Sequence, residues 1–540
     1  MKKTLLLMLI LTVFAGCNTL DIPQDVREGE VTHSGCATAT KAGLDDDNPP
    51  LITLRYHDGG LLVTCTNMYM NCSIKNNGIG CHVSVEGDDI HCSFYEKDGP
   101  VANCVCLVKT MSTAINGLES GKEYNFYYGS YNSVKFTFNI GLIQIIDPET
   151  LDIHEDYILK TLDLPVKSNV FIREGNNFAF NLIDRINKDT EVKGDFFISP
   201  LSLQFLLGML LNGAQGETAD EICTVLGYGK GEMEAVNAYC QAMMQQLPEL
   251  DKKTRLALAN ALVVNQDYSV KDSYQNTVGQ FFNADVFNLD FHDKTGTSKI
   301  INDWCSDHTN GLINDIDPNV NPDMLAILMN ALYFKGLWSS PFSKEATKDE
   351  TFILESGKTV KVPMMKKAAE GLLYQENDTF SAIKLFYGKG AYAMTVILPS
   401  EGKTLSDVTA SLNGSSWNEF LSHMVLCDAD LWLPRFETSF SITLNSILST
   451  MGMSSAFNAE IANFRAMSDD ALCLSRIKQD AVIKVNEEGT EAAAISTGEV
   501  LATSVGPGAH VVFHANRPFL YLITETGRGT ILFAGRYNGE

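Results

Sequence analysis

An all-β sandwich followed by a larger α+β domain is the architecture this sequence predicts, and three observations predict it. From Leu51 to about residue 145, short runs alternate apolar with polar residues between Gly, Asn and Asp, the pattern of short antiparallel strands. From about residue 166 the pattern changes to longer amphipathic helical segments alternating with strands. Cysteine usage changes at the same boundary: Cys36, Cys65, Cys72, Cys81, Cys92, Cys104 and Cys106 crowd the first third, and only five cysteines lie beyond residue 200.

The chain has 540 residues, 45% of them hydrophobic and 9% aromatic, enough for more than one packed core. With 41 basic against 66 acidic residues and a formal charge of -25, it lacks the basic surface that phosphate binding needs, and no nucleic-acid partner is expected. The acidity itself favours solubility and names no partner.

At the start, Lys2 and Lys3 precede an apolar run from Leu5 to Phe14, then Ala15, Gly16 and Cys17. These are the basic, apolar and small-residue parts of an export signal. The arrangement is similar to a bacterial lipobox, in which Cys17 receives lipid and becomes the mature N-terminus; Phe14 departs from the usual leucine. This implies a signal peptide over residues 1–16 and an exported lipoprotein, periplasmic or cell-surface, that touches the membrane only through its lipid anchor. Plain secretion is the alternative. No other segment reaches the roughly 18 continuous apolar residues of a spanning helix.

A polar linker, residues 17–50, ends in GLDDDNPP and leads into the predicted sandwich, residues 51–145. Its runs are LITLRY, LLVTCT, CHVSVEG, HCSFYE, CVCLVKT, YNFYYG and VKFTFNIG. Leu118-Glu119-Ser120-Gly121-Lys122-Glu123-Tyr124 resembles the tyrosine corner of immunoglobulin-like and fibronectin-type modules. Such a module binds a ligand or serves as a spacer above the membrane, and the spacer is the favoured reading. In an exported protein the seven clustered cysteines read first as disulfides, with one thiol left over because the count is odd. Spacing does not reveal the pairing. Metal is the lesser reading, since there is no CxxC pair. No metal or cofactor is expected.

After a second linker, residues 146–165, the α+β domain is expected over 166–540. Phe178, Leu182 and Ile186 fall at helical spacing in the segment Glu174 to Asn187, and PLSLQFLLGMLLNGA opens on a proline suited to the first helical turn. The apolar run Met324 to Trp338 is compatible by periodicity with strand or helix.

Near the C-terminus, Asn486 to Ser496 reads as a strand, a Glu487-Glu488-Gly489 turn and an alanine-rich segment. From Thr490 every second side chain is small or uncharged: Thr490, Ala492, Ala494, Ser496. One face of this stretch can therefore enter a crowded sheet, and Glu491 and Ile495 turn to the other face.

This run resembles the reactive-loop hinge of serpins, whose cleaved loop inserts into their main sheet. Phe197-Ile198-Ser199-Pro200, NALYFKGLW from Asn330, LPRF from Leu433, LSTMGMSSAF from Leu448, NRPFLYLI from Asn516 and ILFAGRYN from Ile531 resemble further serpin signatures, in serpin order.

The resemblance implies an α+β domain with a large central sheet and an exposed reactive loop. It implies a hinge of Glu487, Glu488, Gly489, Thr490, Glu491, Ala492, Ala493, Ala494, Ile495 and Ser496, with Ile495 a tolerated replacement of the usual alanine. It places Ser199, Ser202, Asn302 and Gln479 in the polar cluster that governs sheet opening. Gln479 replaces the usual histidine, and Asp195 stands where asparagine is common, so pH control through Gln479 is not expected.

The hinge-to-bait spacing of serpins, carried over from Gly489, implies a bait bond at Thr503-Ser504, with Ser504-Val505 as the neighbouring alternative. The run Val500 to Thr503 is small and aliphatic, which favours elastase-like or subtilisin-like serine proteases, leaves papain-like cysteine proteases open and disfavours trypsin-like ones. The implied partner is a serine protease held as a covalent acyl complex through Thr503, and the implied state is a monomer. No GxSxG, HExxH, Walker or dinucleotide motif points to an enzyme. A non-inhibitory serpin and a surface binding protein or adhesin are the alternatives.

Overall fold

A computed structural model describes residues 27–28, 31–33, 36–37, 51–57, 60–71, 78–97, 105–119, 121–128, 133–138, 143–146, 162–311, 313, 316, 318–490 and 510–539. Cys17, Glu491 to Ser496 and the Thr503-Ser504 bond lie outside these residues.

The N-terminal strands form two sheets. One runs in the order Ile143–Ile146, Leu51–His57, Gly60–Asn71, Val105–Ile115 and Thr32–His33, with Cys36–Ala37 also paired to Val105–Ile115. The other runs Arg27–Glu28, Ile79–Glu86, Asp89–Glu96, Glu123–Tyr128 and Ser133–Thr137. Alternation sends Ile52, Leu54 and Val63 of the first sheet and Ile79, Ile90 and Phe126 of the second into one shared cluster.

Two details differ from the sequence expectation. Asp89–Glu96 and Glu123–Tyr128 pair in parallel, within otherwise antiparallel ladders. Three short strands from the stretch expected to be linker pair into the sheets, so β structure begins before Leu51. Tyr124 is buried, and its hydroxyl accepts the Glu119 amide at 2.9 Å, the backbone bond a tyrosine corner makes.

From Leu162 onward, helices surround two larger sheets. Ser168–Lys188 buries Phe178, Leu182 and Ile186, the stripe its spacing predicted, and also Phe171. Pro200–Gly213 is buried on nearly all sides, so its apolar residues run round the whole helix; Ser199 caps it by accepting the Ser202 amide.

The main sheet runs Ala284–Leu289, Thr254–Asn265, Ala326–Leu337, Gly489–Thr490, Lys478–Val485 and Phe436–Thr443. The ambiguous run at Met324 is thus a strand, Ala326–Leu337. Its length of apolar sequence follows from burial on both faces: Met329 and Ala331 pack with Ile301 and Trp304 of the helix Lys294–His308, whereas Phe334 joins the main core. A nine-stranded sheet, which includes Phe380–Tyr387, Tyr392–Pro399, Phe519–Glu525 and Ile531–Tyr537, forms much of that core.

One buried carboxylate makes the fold sensitive to pH. Glu525 is 2% exposed and accepts the Gly527 and Arg528 amides. Burial pushes it up from 4.5 to about 7, opposed by those amides and by the charges of Arg528 and Lys384. Between these two values the folded state holds a proton that the unfolded chain has released, so this contribution to stability is complete below 4.5 and is lost as pH rises through 7. Glu525→Gln is therefore expected to be more stable, relative to the natural protein, at pH 7.5 than at pH 5. The difference grows by up to about 1.4 kcal/mol per pH unit between those limits. Urea midpoints at several pH values measure it.

Candidate functional site

The strand Lys478–Val485 leaves the main sheet through a tight turn at Asn486 to Gly489. Asn486 donates its amide to the Gly489 carbonyl at 2.9 Å, and its side-chain oxygen accepts the Glu488 and Gly489 amides. The neighbouring segment satisfies the turn's remaining carbonyls. Trp338 donates its amide to Glu488 and its indole N–H to Asn486, and Phe342 donates its amide to Glu487.

Glycine at 489 is a steric requirement. A side chain there would fall on the Gly336 carbonyl oxygen and within 2.7 Å of the Leu337 Cα. Both glutamates are also held. Glu487 is buried and accepts from Thr347 Oγ1 at 2.7 Å and from Arg435 at 3.5 Å, and Glu488 is ion-paired with Lys344.

Beyond the turn, Thr490 forms the first rung of a new strand. It pairs with Gly336 on one side and Val485 on the other, both antiparallel. Its hydroxyl bonds the Tyr387 hydroxyl at 2.6 Å, and Tyr387 stacks on Trp338 at 4.4 Å. Gly336 leaves room for this arrangement, since a Cβ there would come within 2.8 Å of the Tyr387 ring.

The strands Ala326–Leu337 and Lys478–Val485, which flank Thr490, share no ladder with each other among the described residues. Between them lies a narrow cavity lined by Phe197, Tyr333, Phe334, Ala481, Ile483 and Thr490, among others.

A chain of polar side chains at the foot of Pro200–Gly213 links these strands instead. The Gln479 amide forms a reciprocal pair with the Ser199 backbone, accepting its N–H and donating to its carbonyl, both at 3.0 Å. Ser199 Oγ donates to the Leu532 carbonyl and accepts the Ser202 amide. Ser202 Oγ donates to Asn330, Asn330 donates to Asn260 at 2.6 Å, and Asn260 donates to the Phe282 carbonyl at 2.6 Å. Gln479, Ser199 and Ser202 are thus brought together.

Asn302 is not part of this network, which corrects the sequence assignment. It sits in the helix Lys294–His308 and binds the Ile316 backbone through both ends of its amide. Asn330 is the amide that completes the cluster. The signal for it was a polar residue inside the otherwise apolar stretch Met324 to Phe334, where a buried hydrogen-bond partner accounts for asparagine. Asp195 accepts the Asn538 amide, away from these residues. Trp338, Tyr387 and Thr347 were not singled out from sequence; each acts by closing on the turn from a distant segment.

Residues 173–539 match the family model described as Serpin (serine protease inhibitor). The chain belongs to the serpin family. It is similar to Antichymotrypsin-2 of Bombyx mori, 31% identical over 379 residues, covering 69% of this chain and 98% of that protein. It is also similar to a protein named Serine protease inhibitor of Cyanea capillata, 34% identical over 348 residues, covering 63% of this chain and 90% of that one.

Two solved serpin structures carry the same architecture. The thermophilic serpin Tengpin in its native state superimposes with a TM-score of 0.62 at 26% identity, covering 71% of this chain and 96% of that one. Thyroxine-binding globulin in complex with thyroxine gives 0.61 at 27% identity, covering 68% and 98%. This serpin therefore has the family's large sheet and helices, and its relatives include proteins named as protease inhibitors.

Proposed function

We propose that this serpin is a suicide-substrate inhibitor of serine proteases, elastase-like or subtilisin-like by preference, with papain-like cysteine proteases as further targets. The observation that carries the reading is Thr490, seated between two strands that do not pair with each other. On insertion, continuation of the Thr490 register would set Ala492 opposite Phe334 and Ile483, and Ala494 opposite Ala481. These are small side chains against cavity-lining positions, so the entering strand gains backbone pairing and apolar burial with little steric cost.

In this account the protease serine attacks the Thr503 carbonyl carbon, and the Thr503-Ser504 amide breaks. Thr503 is left as an ester on the enzyme and Ser504 as a new N-terminal amine. Insertion of the freed strand then carries the acyl-enzyme away and distorts its oxyanion hole before water can hydrolyse the ester. The catalytic groups are the protease's own.

A non-inhibitory role is the second reading, supported by the likeness to a thyroxine-binding globulin. Cleavage without a stable complex across a panel of proteases would favour it. An adhesin is the third; binding by the N-terminal sheets alone would favour that one.

Specificity is tested at the bait bond. Thr503→Arg is expected to raise the inhibition rate of trypsin-like proteases on the order of 10^3-fold, because the guanidinium gains the acidic specificity pocket that threonine leaves unpaired. An unchanged rate would remove Thr503 from that position.

Residues 1–16 are read as an export signal and Cys17 as the lipidated N-terminus, which mass measurement of the mature N-terminal peptide tests. The two N-terminal sheets are read as an immunoglobulin-like or fibronectin-like spacer, supported by the bond from Glu119 to Tyr124.

A further inference from the structure

The N-terminal core holds three thiols that the protease-inhibitor reading does not use. Cys65, Cys81 and Cys92 are at most 2% exposed and belong to the cluster shared by the two sheets. Cys81 and Cys92 sit on the neighbouring strands Ile79–Glu86 and Asp89–Glu96, with Cys81 opposite Phe94 and Cys92 opposite Val83. Their sulfurs are 3.6 Å apart, in contact but unbonded. Cys65 lies on the facing sheet, its thiol engaged with the Tyr128 hydroxyl, and burial pushes that thiol up to about 12.

We propose that Cys81 and Cys92 are a disulfide-forming pair and that Cys65 remains a thiol. Two features of the chain favour this partner choice. The pair belongs to one hairpin, closed by a two-residue turn in which Gly87 takes φ +64. The hairpin by itself brings Cys81 and Cys92 together, whereas Cys65 reaches them only through packing of the facing sheet.

The chemistry is thiol–disulfide exchange with an external disulfide, a small molecule or a protein. The Cys81 thiolate attacks one sulfur of that oxidant, forming a mixed disulfide and expelling one thiolate. Cys92 loses its proton and attacks the Cys81 sulfur, expelling the second thiolate. Two protein thiols are oxidised and one external disulfide is reduced to two thiols. Closure moves the sulfurs from 3.6 Å to a bond of about 2.05 Å.

The test uses the full chain, refolded in a mixture of oxidised and reduced glutathione, alkylated under denaturing conditions without reductant and cleaved after glutamate. A second cleavage, after lysine, releases residues 76–86 with Cys81 as their one cysteine and residues 87–96 with Cys92 as theirs, so a linkage between these two peptides reports a bond between Cys81 and Cys92. The expected result is one linked species carrying Cys81 and Cys92, short of two hydrogen atoms, with Cys65 alkylated. The same linkage is expected in Cys65→Ser. Alkylation of both Cys81 and Cys92, or a link from either to any other cysteine, overturns the proposal.

Discussion

Thr490→Arg is expected to leave the serpin cleavable in its loop and unable to hold a protease. Thr490 is 2% exposed, bonded to Tyr387 and paired on both sides. A guanidinium in that place loses the bond to Tyr387 and displaces the stacked Tyr387 ring from Trp338. Burying an unpaired charge costs about 3–5 kcal/mol, which slows strand entry on the order of 10^2- to 10^4-fold. Hydrolysis of the ester then wins. The bait bond lies well beyond the hinge in sequence, so the rate of cleavage should stay close to that of the natural protein. Complex formation and peptide release, followed together on denaturing gels, separate the two effects; normal inhibition by this variant would contradict loop insertion at Thr490.

Asn330→Ala is expected to lower stability by about 2–4 kcal/mol, because it removes the acceptor of Ser202 Oγ and the donor to the side-chain oxygen of buried Asn260. The cost should fall on the link between strands as well as on global unfolding. Ala326–Leu337 and Lys478–Val485 are joined through Asn330, Ser202, Ser199 and Gln479 rather than through their own ladder. Faster spontaneous loss of inhibitory activity during incubation at moderate temperature should therefore accompany the lower urea midpoint. Gln479→Ala breaks the other end of the chain, and the double variant should lose less than the sum of the two, as expected for residues in one network. Full additivity would show that the two ends act independently.

Much of the architecture was legible in the sequence because it depends on local periodicity. The helix at Ser168–Lys188 follows from Phe178, Leu182 and Ile186, and the N-terminal strands follow from alternation. The turn at Gly489 was legible because Glu487-Glu488-Gly489 interrupts a strand pattern and glycine permits the reversal; the Gly336 carbonyl that excludes a side chain there was not. What periodicity could not show was contact between distant segments. Nothing local to Asn302 or Asn330 says which of them reaches Ser202, and only the pairing of Ala326–Leu337 with Thr254–Asn265 sets Asn330 beside Asn260. The burial of Glu487 is likewise set by Thr347 and Arg435, far from it in sequence. The parallel pairing of Asp89–Glu96 with Glu123–Tyr128 escaped for the same reason, since alternation gives a strand's faces but not its direction relative to a neighbour.

The central claim is that loop cleavage drives insertion and traps the protease. Its most direct test is incubation of the full serpin with a titrated elastase-like protease, followed by denaturing electrophoresis and mass measurement of the released C-terminal peptide. The account predicts a complex that survives denaturation, together with a peptide beginning at Ser504. Cleavage in the loop with protease activity fully retained, repeated across serine and cysteine proteases, would contradict it.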